Sequence, residues 1–151
     1  RQVSYLPELV TGADRKIETI IKLLKASAMH LNWRQTYSAQ DFGAAFLKKY
    51  GWTELIGLRG PIKSKDIACG FLLLGPGIEY PMHSHEAAEI YIPLCSPALW
   101  IQGNDHWVSR PSGVPIYHRS WLTHGIRTES APLLALYLWR GGDLAQKSHI
   151  D

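Results

Sequence analysis

From Trp52 onward the chain is a succession of short apolar runs cut at close intervals by Gly, Pro, Asn and Asp, with no helical spacing of apolar residues between them. That texture constrains the fold more than any other feature, because runs this short cannot form buried helices and must pair with one another as antiparallel β-structure. The candidate strands are 53–58, 67–74, 89–94, 98–102, 106–110, 115–118, 125–128 and 133–139, and Gly103-Asn104-Asp105 reads as a hairpin turn between two of them. Eight short strands fit a sandwich or a small barrel, and closure removes the exposed strand edges that otherwise invite aggregation.

The first third reads differently. Asp14 is placed to cap a helix opening at Arg15, and Ile17, Ile20, Ile21, Leu24, Ala28 and Leu31 recur with helical spacing. Ser38-Ala39-Gln40-Asp41 resembles a capping box with Asp in place of Glu; Phe42, Ala45 and Phe46 follow it, and Gly51 is the expected stop. Between the helices, Trp33 and Tyr37 either plug the inter-helix space or overhang a pocket, the plug being preferred. A two-helix unit this short is marginal alone. The expected architecture is therefore mainly β: a small jelly-roll-like barrel over 53–151 with a helical extension over 1–52 packed against it, one compact unit overall.

Composition narrows the function. With 151 residues, 46% hydrophobic and 19% charged, the chain can bury a core of its own and is not a disordered segment. A net charge of +3 from scattered Lys and Arg gives no footprint for nucleic acid. Cys69 and Cys95 form no CxxC pattern and are expected as free thiols. No apolar run reaches the length of a membrane span and no signal-peptide pattern is visible, so a cytoplasmic location is expected and no membrane partner. Six Trp and seven Tyr in so short a chain point to an aromatic-lined cavity, an extensive interface or large core fillers.

The chemistry concentrates between Gly77 and Tyr91. His83 and His85 are two apart, as are Glu89 and Tyr91, so each pair faces one side of its strand if it lies on one. Two imidazoles and a carboxylate suit a first-row divalent metal, and His124 is the candidate third imidazole. Such a set accepts Zn, Fe, Mn, Co or Ni. His106 and His118 are left as spare histidines of no assigned role.

The Gly-x5-His-x-His-x3-Glu spacing resembles the first motif of the cupin superfamily, with His124 in the place of the second motif's histidine. Ser96 stands where the first motif usually ends in Gly, and Arg119, Trp121 and Thr128 stand where the second usually has Pro, Gly and Asn. A narrower resemblance lies in Tyr80-Pro81-Met82-His83-Ser84-His85, in Glu89-Ile90-Tyr91, in the segment 118–124 and in the segment 133–143. Together these look like the cupin-type dimethylsulfoniopropionate lyases of marine bacteria, the DddQ type in particular.

That resemblance implies a metal-dependent β-elimination that splits dimethylsulfoniopropionate into dimethyl sulfide and acrylate. It implies metal ligands His83, His85, Glu89 and His124, a tyrosine base at Tyr91 and a second pocket tyrosine at Tyr80. The residue types agree with such chemistry: elimination needs a base for the proton α to a carboxylate, and a dication that binds the carboxylate stabilises the developing charge. A sulfonium cation is recognised by aromatic faces, for which Trp33, Tyr37, Tyr80 and Trp139 are the candidates. A cupin dioxygenase using Fe(II) and O2 on another small molecule is the alternative, and a homodimer through a barrel edge is one assembly the sequence allows.

Overall fold

The computed structural model describes Leu6 and residues 14–95 and 98–151; Ser96 and the residues just before Asp14 lie outside them. Two helices, α1 (Arg15–Ser27) and α2 (Ala39–Lys48), precede ten strands among the described residues. The strands are β1 (Tyr50–Ile56), β2 (Ile67–Leu74), β3 (Glu79–Ser84), β4 (Ala88–Pro93), β5 (Ala98–Gln102), β6 (Val108–Ser109), β7 (Ile116–His118), β8 (His124–Thr128), β9 (Leu133–Arg140) and β10 (His149–Ile150). They form two five-stranded antiparallel sheets, ordered β1-β2-β9-β4-β7 and β10-β3-β8-β5-β6. This is the expected mainly-β barrel with two N-terminal helices.

The central strands explain themselves. β2 and β9 read as near-continuous apolar runs because the first sheet is covered on both faces. Leu72, Leu74, Leu133 and Ala135 face the barrel interior, where they meet Trp100 and Ile126 of the opposite sheet. Their alternates Phe71, Leu73 and Leu134 face outward, under Ile17, Ile21 and Leu24 of α1. Burying those three α1 side chains is worth about 1.5–3 kcal/mol each, which fixes the helix where its own propensity would not.

The helix signals act as expected at their starts and differ at their ends. Asp14 accepts from the Lys16 amide at 2.7 Å, and Ser38 and Asp41 form the reciprocal capping box, with Ser38 N donating to Asp41 Oδ2 at 2.8 Å. α1 stops at Ser27 and tightens into a single 3-10 turn over Ala28–His30 rather than running on to Leu31. Gly51 is not a helix stop: β1 already starts at Tyr50, and Gly51 pairs with Leu73. Pairing with β2 overrides the local helix-ending signal there. Gly103-Asn104-Asp105 does turn β5 toward β6, Gly103 having φ +54° and Asp105 N donating to Gln102 O at 3.0 Å. Cys69 and Cys95 are free thiols.

Candidate active site

One face of the first sheet supplies two adjacent cross-strand rows. Register places Ala68, Trp139, Glu89 and His118 in one row, and Glu54, Gly70, Tyr137 and Tyr91 in the next. Glu89 and Tyr91 thus share a face, as their spacing requires. A Cβ on Gly70 would lie 2.0 Å from the Thr53 carbonyl and 2.8 Å from the Tyr137 hydroxyl, so this glycine is what lets β1 and Tyr137 close over the row.

The opposite sheet brings the imidazoles. Between Tyr80 and His83 the β3–β8 register shifts, so that Pro81 and Met82 stand against Gly125 alone. This bulge changes the parity of β3, and Tyr80 and His83 end on one side, their rings stacked at 4.0 Å and 14°. Gly125 is required at this close approach, where a Cβ would meet Met82 Sδ at 3.1 Å and Tyr80 O at 3.2 Å. β3 ends at Ser84, so His85 sits in the connection to β4, not on the strand.

All three histidines are fixed the same way. His83 Nδ1 lies 2.7 Å from Pro81 O, His85 Nδ1 2.8 Å from Ala87 O and His124 Nδ1 2.7 Å from Leu122 O. A carbonyl only accepts, so each Nδ1 carries the proton and each Nε2 presents a lone pair. Glu89 Oε1 lies 3.3 Å from His85 Nε2 and 3.2 Å from His124 Nε2, and all three residues are 3% exposed or less. His124 Nε2 is buried with no hydrogen-bond partner. Lone pairs and a carboxylate converging in a dry site repel one another unless a cation lies among them, so the donor set fits a divalent transition ion. Among the described residues, the groups whose ligand atoms lie within 4.8 Å of one another are those of His85, Glu89 and His124. His83 stands outside that trio, its ring centroid 4.3 Å from that of His124 and 6.3 Å from that of His85.

Electrostatics follow from burial. Burial pushes His83 well below its ordinary range, with His124 adding to the effect. Burial opposes the Glu89 charge, yet the His124 and His85 imidazoles beside it hold its carboxyl well below the usual range. Burial, then the Glu89 charge, push the Tyr91 phenol well above its usual value. Tyr80 is raised well above by burial and then by Tyr37, whose hydroxyl lies 2.8 Å from that of Tyr80.

A pocket with about 60 Å³ of water-accessible space opens beside the trio. Tyr80, Glu89, Tyr91 and Trp139 are among the residues that line it. Trp139 stacks on His85 at 4.1 Å and donates its Nε1–H to Glu89 Oε2. Tyr37 sits behind Tyr80 in a cluster with Phe42, Phe46 and Tyr50. Trp33 donates to Ala28 O at 3.0 Å and lines a separate outer recess. Sequence reasoning missed Tyr50, Trp52, Glu54, Arg59 and Tyr137 of the pocket wall. Their signal was the period-2 alternation Tyr50-x-Trp52-x-Glu54 and Tyr137-x-Trp139. It missed His118 as well, which is fully buried and stacked flat on His124 at 3.9 Å and 8°.

With this geometry in view, the comparisons with known proteins are specific. A family model described as dimethylsulfoniopropionate lyase matches residues 3–135. The chain is 33% identical over 135 residues to the dimethylsulfoniopropionate lyase DddQ of Ruegeria pomeroyi, covering 89% of this chain and 66% of that protein. It is 33% identical over 134 residues to a putative dimethylsulfoniopropionate lyase, DddL, of Cereibacter sphaeroides, covering 87% and 55%. The chain thus spans about two thirds and about half of the lengths of these curated relatives. The crystal structure of DddQ from Ruegeria pomeroyi superimposes with a TM-score of 0.88 at 30% identity, over 99% of this chain and 75% of that one. A cupin-2 domain from Rhodospirillum rubrum shares the fold, with a TM-score of 0.63 at 15% identity over 81% and 76%. No helix among the described residues is long and apolar enough to cross a membrane. With its fold, its pocket and a match over most of its length in agreement, the chain belongs to the dimethylsulfoniopropionate lyase family.

Proposed function

We propose that this protein is a metal-dependent carbon–sulfur lyase that cleaves dimethylsulfoniopropionate to dimethyl sulfide and acrylate. The observation that carries the reading is the buried trio of His85, Glu89 and His124, with both Nδ1 atoms tied back to backbone carbonyls, in the strand row next to Tyr91. His83 is proposed as the fourth ligand, its Nδ1 being tied back in the same way. A Zn, Fe, Mn, Co or Ni dication held there supplies positive charge that draws in the substrate carboxylate, offsets Glu89, favours the Tyr91 phenolate and stabilises negative charge at the α-carbon.

The chain's own residues do the rest. Tyr91 takes the α-proton, the Cα electron pair forms the new C–C double bond, and the C–S bond breaks with its electrons leaving on sulfur. The proton passes from Tyr91 to solvent, so the products are acrylate and neutral dimethyl sulfide. Tyr50, Tyr137 and Trp139 offer faces to the sulfonium methyl groups and exclude water. Tyr80, held by Tyr37, is proposed as the second tyrosine at the reacting end. Because Phe42 and Phe46 of α2 back Tyr80, the helical segment and the barrel are proposed to act as one unit.

The test is headspace detection of dimethyl sulfide from purified protein with dimethylsulfoniopropionate, with and without chelator, after reconstitution with Fe, Mn or Zn. Chelator-sensitive release is the expected result. No release with any metal, from folded and metal-loaded protein, overturns the reading and makes oxygen uptake the next assay.

A further inference from the structure

A second, wider recess adjoins the aromatic pocket and shares Thr36, Trp52, Arg59 and Gln146 with it. Its charged lining residues are Arg34, Arg59 and Lys147, and no carboxylate lines it. Arg59 lines both spaces. Its guanidinium lies over Trp52 at 4.6 Å, and its Nη2 reaches Glu54 Oε1 at 3.3 Å and Leu144 O at 3.2 Å. Its Nε is buried and has no partner. Lys147 pairs with Asp41 at 2.8 Å across an exposed surface, whereas Arg34 forms no ion pair among the described residues. Gln146 accepts from the Glu86 amide through Oε1, which leaves its NH2 donors for the recess.

A zwitterion or an anionic product that passes between this recess and the aromatic pocket moves past Arg59. We infer that the recess is an outer carboxylate-binding subsite, centred on Arg59 with Arg34 and Lys147 at its rim, which takes short aliphatic carboxylates. The Gln146 amide supplies directed donors, and Arg34 with the other rim cations supplies field. The same field repels a leading sulfonium, so the subsite also selects carboxylate-first approach. The inference rests on the lyase reading for the identity of the carboxylates, but the subsite itself is measurable without turnover.

The experiment titrates acrylate into metal-free protein, followed by tryptophan fluorescence because Trp52 underlies Arg59, with uncharged propionamide as the control ligand. Wild type is expected to bind acrylate, more weakly at high salt, and not propionamide. Arg34→Gln with Lys147→Gln is expected to weaken acrylate binding and raise KM for dimethylsulfoniopropionate about 3–10-fold with kcat unchanged. Arg59→Met is combined with Glu54→Gln so that no unpaired carboxylate stays buried, and it is expected to abolish the titration. Equal acrylate affinity in wild type and both variants, or no salt dependence, overturns the subsite. A wild type that binds acrylate in this way but releases no dimethyl sulfide with any metal supports the subsite and sinks the lyase reading.

Discussion

Trp139→Phe separates the two things Trp139 does. In the structure its ring stacks on His85 and lines the pocket, while its Nε1–H is donated to Glu89 Oε2. Phe keeps an aromatic face and removes the donor. Glu89 is 1% exposed, so the lost bond is one to a buried charge, worth about 1.5–3 kcal/mol. For a domain of this size that lowers Tm of the metal-free protein by roughly 3–12 °C. The bond to Oε2 also orients Oε1 toward His85 and His124, and losing such an outer anchor weakens metal binding about 10–100-fold. Thermal unfolding of metal-free protein reads the first effect, and a chelator-competition titration reads the second. KM measured at saturating metal is expected to change less than either. If Tm and metal affinity both match wild type while KM rises, Trp139 contacts the sulfonium and does not anchor Glu89, and the reasoning is refuted.

Other perturbations follow from single contacts. Tyr91→Phe is expected to keep the metal and lower kcat by about 10²–10⁴-fold, whereas His124→Ala loses both; metal content and dimethyl sulfide release measured on the same samples decide it, and a fully active Phe variant demotes Tyr91 to a core residue. Gly70→Ala forces a Cβ against the Thr53 carbonyl at 2.0 Å and is expected to cost roughly 3 kcal/mol or more, read as a lower urea midpoint. Trp121 has φ +60° and is 51% exposed, standing where the cupin second motif usually has Gly. Trp121→Gly relieves about 1–2 kcal/mol of left-handed strain against about 0.5–1 kcal/mol of added chain entropy, so Tm is expected to rise by a few degrees. An unchanged or lower Tm shows that the indole packs well enough to outweigh the strain.

How much of this was legible depended on whether the determining contacts were local. β2 and β5 were read at their observed bounds, because an unbroken apolar run between turn residues is its own signal. The Asp14 cap and the Ser38 box are likewise local hydrogen bonds. β3 was not among the strands read, since Pro81 demotes the run and the bulge destroys its alternation. β10 is two residues long and exists only through its pairing with β3. The pocket wall was hidden for a related reason: Glu54, Tyr137 and Tyr91 come from three separate strands, and only the β1-β2-β9-β4 order makes them neighbours.

The histidines of the motif stand in a geometry that differs from the simple one. Spacing alone put His83 and His85 on one face only if both lay on a strand. In the structure the bulge opposite Gly125 is what turns His83 inward beside Tyr80, and the end of β3 at Ser84 frees His85 to be set by its own bond to Ala87 O. The two imidazoles therefore have different supports. His85 and His124 face Glu89 Oε1 at 3.3 and 3.2 Å, while His83 lies flat on Tyr80 outside the close trio. Loss of the Tyr80 ring removes what His83 rests on and leaves the His85, Glu89 and His124 contacts in place. Tyr80→Ala is accordingly expected to weaken metal binding less than His124→Ala does, by chelator competition, and equal losses would place His83 on the same footing as the other two.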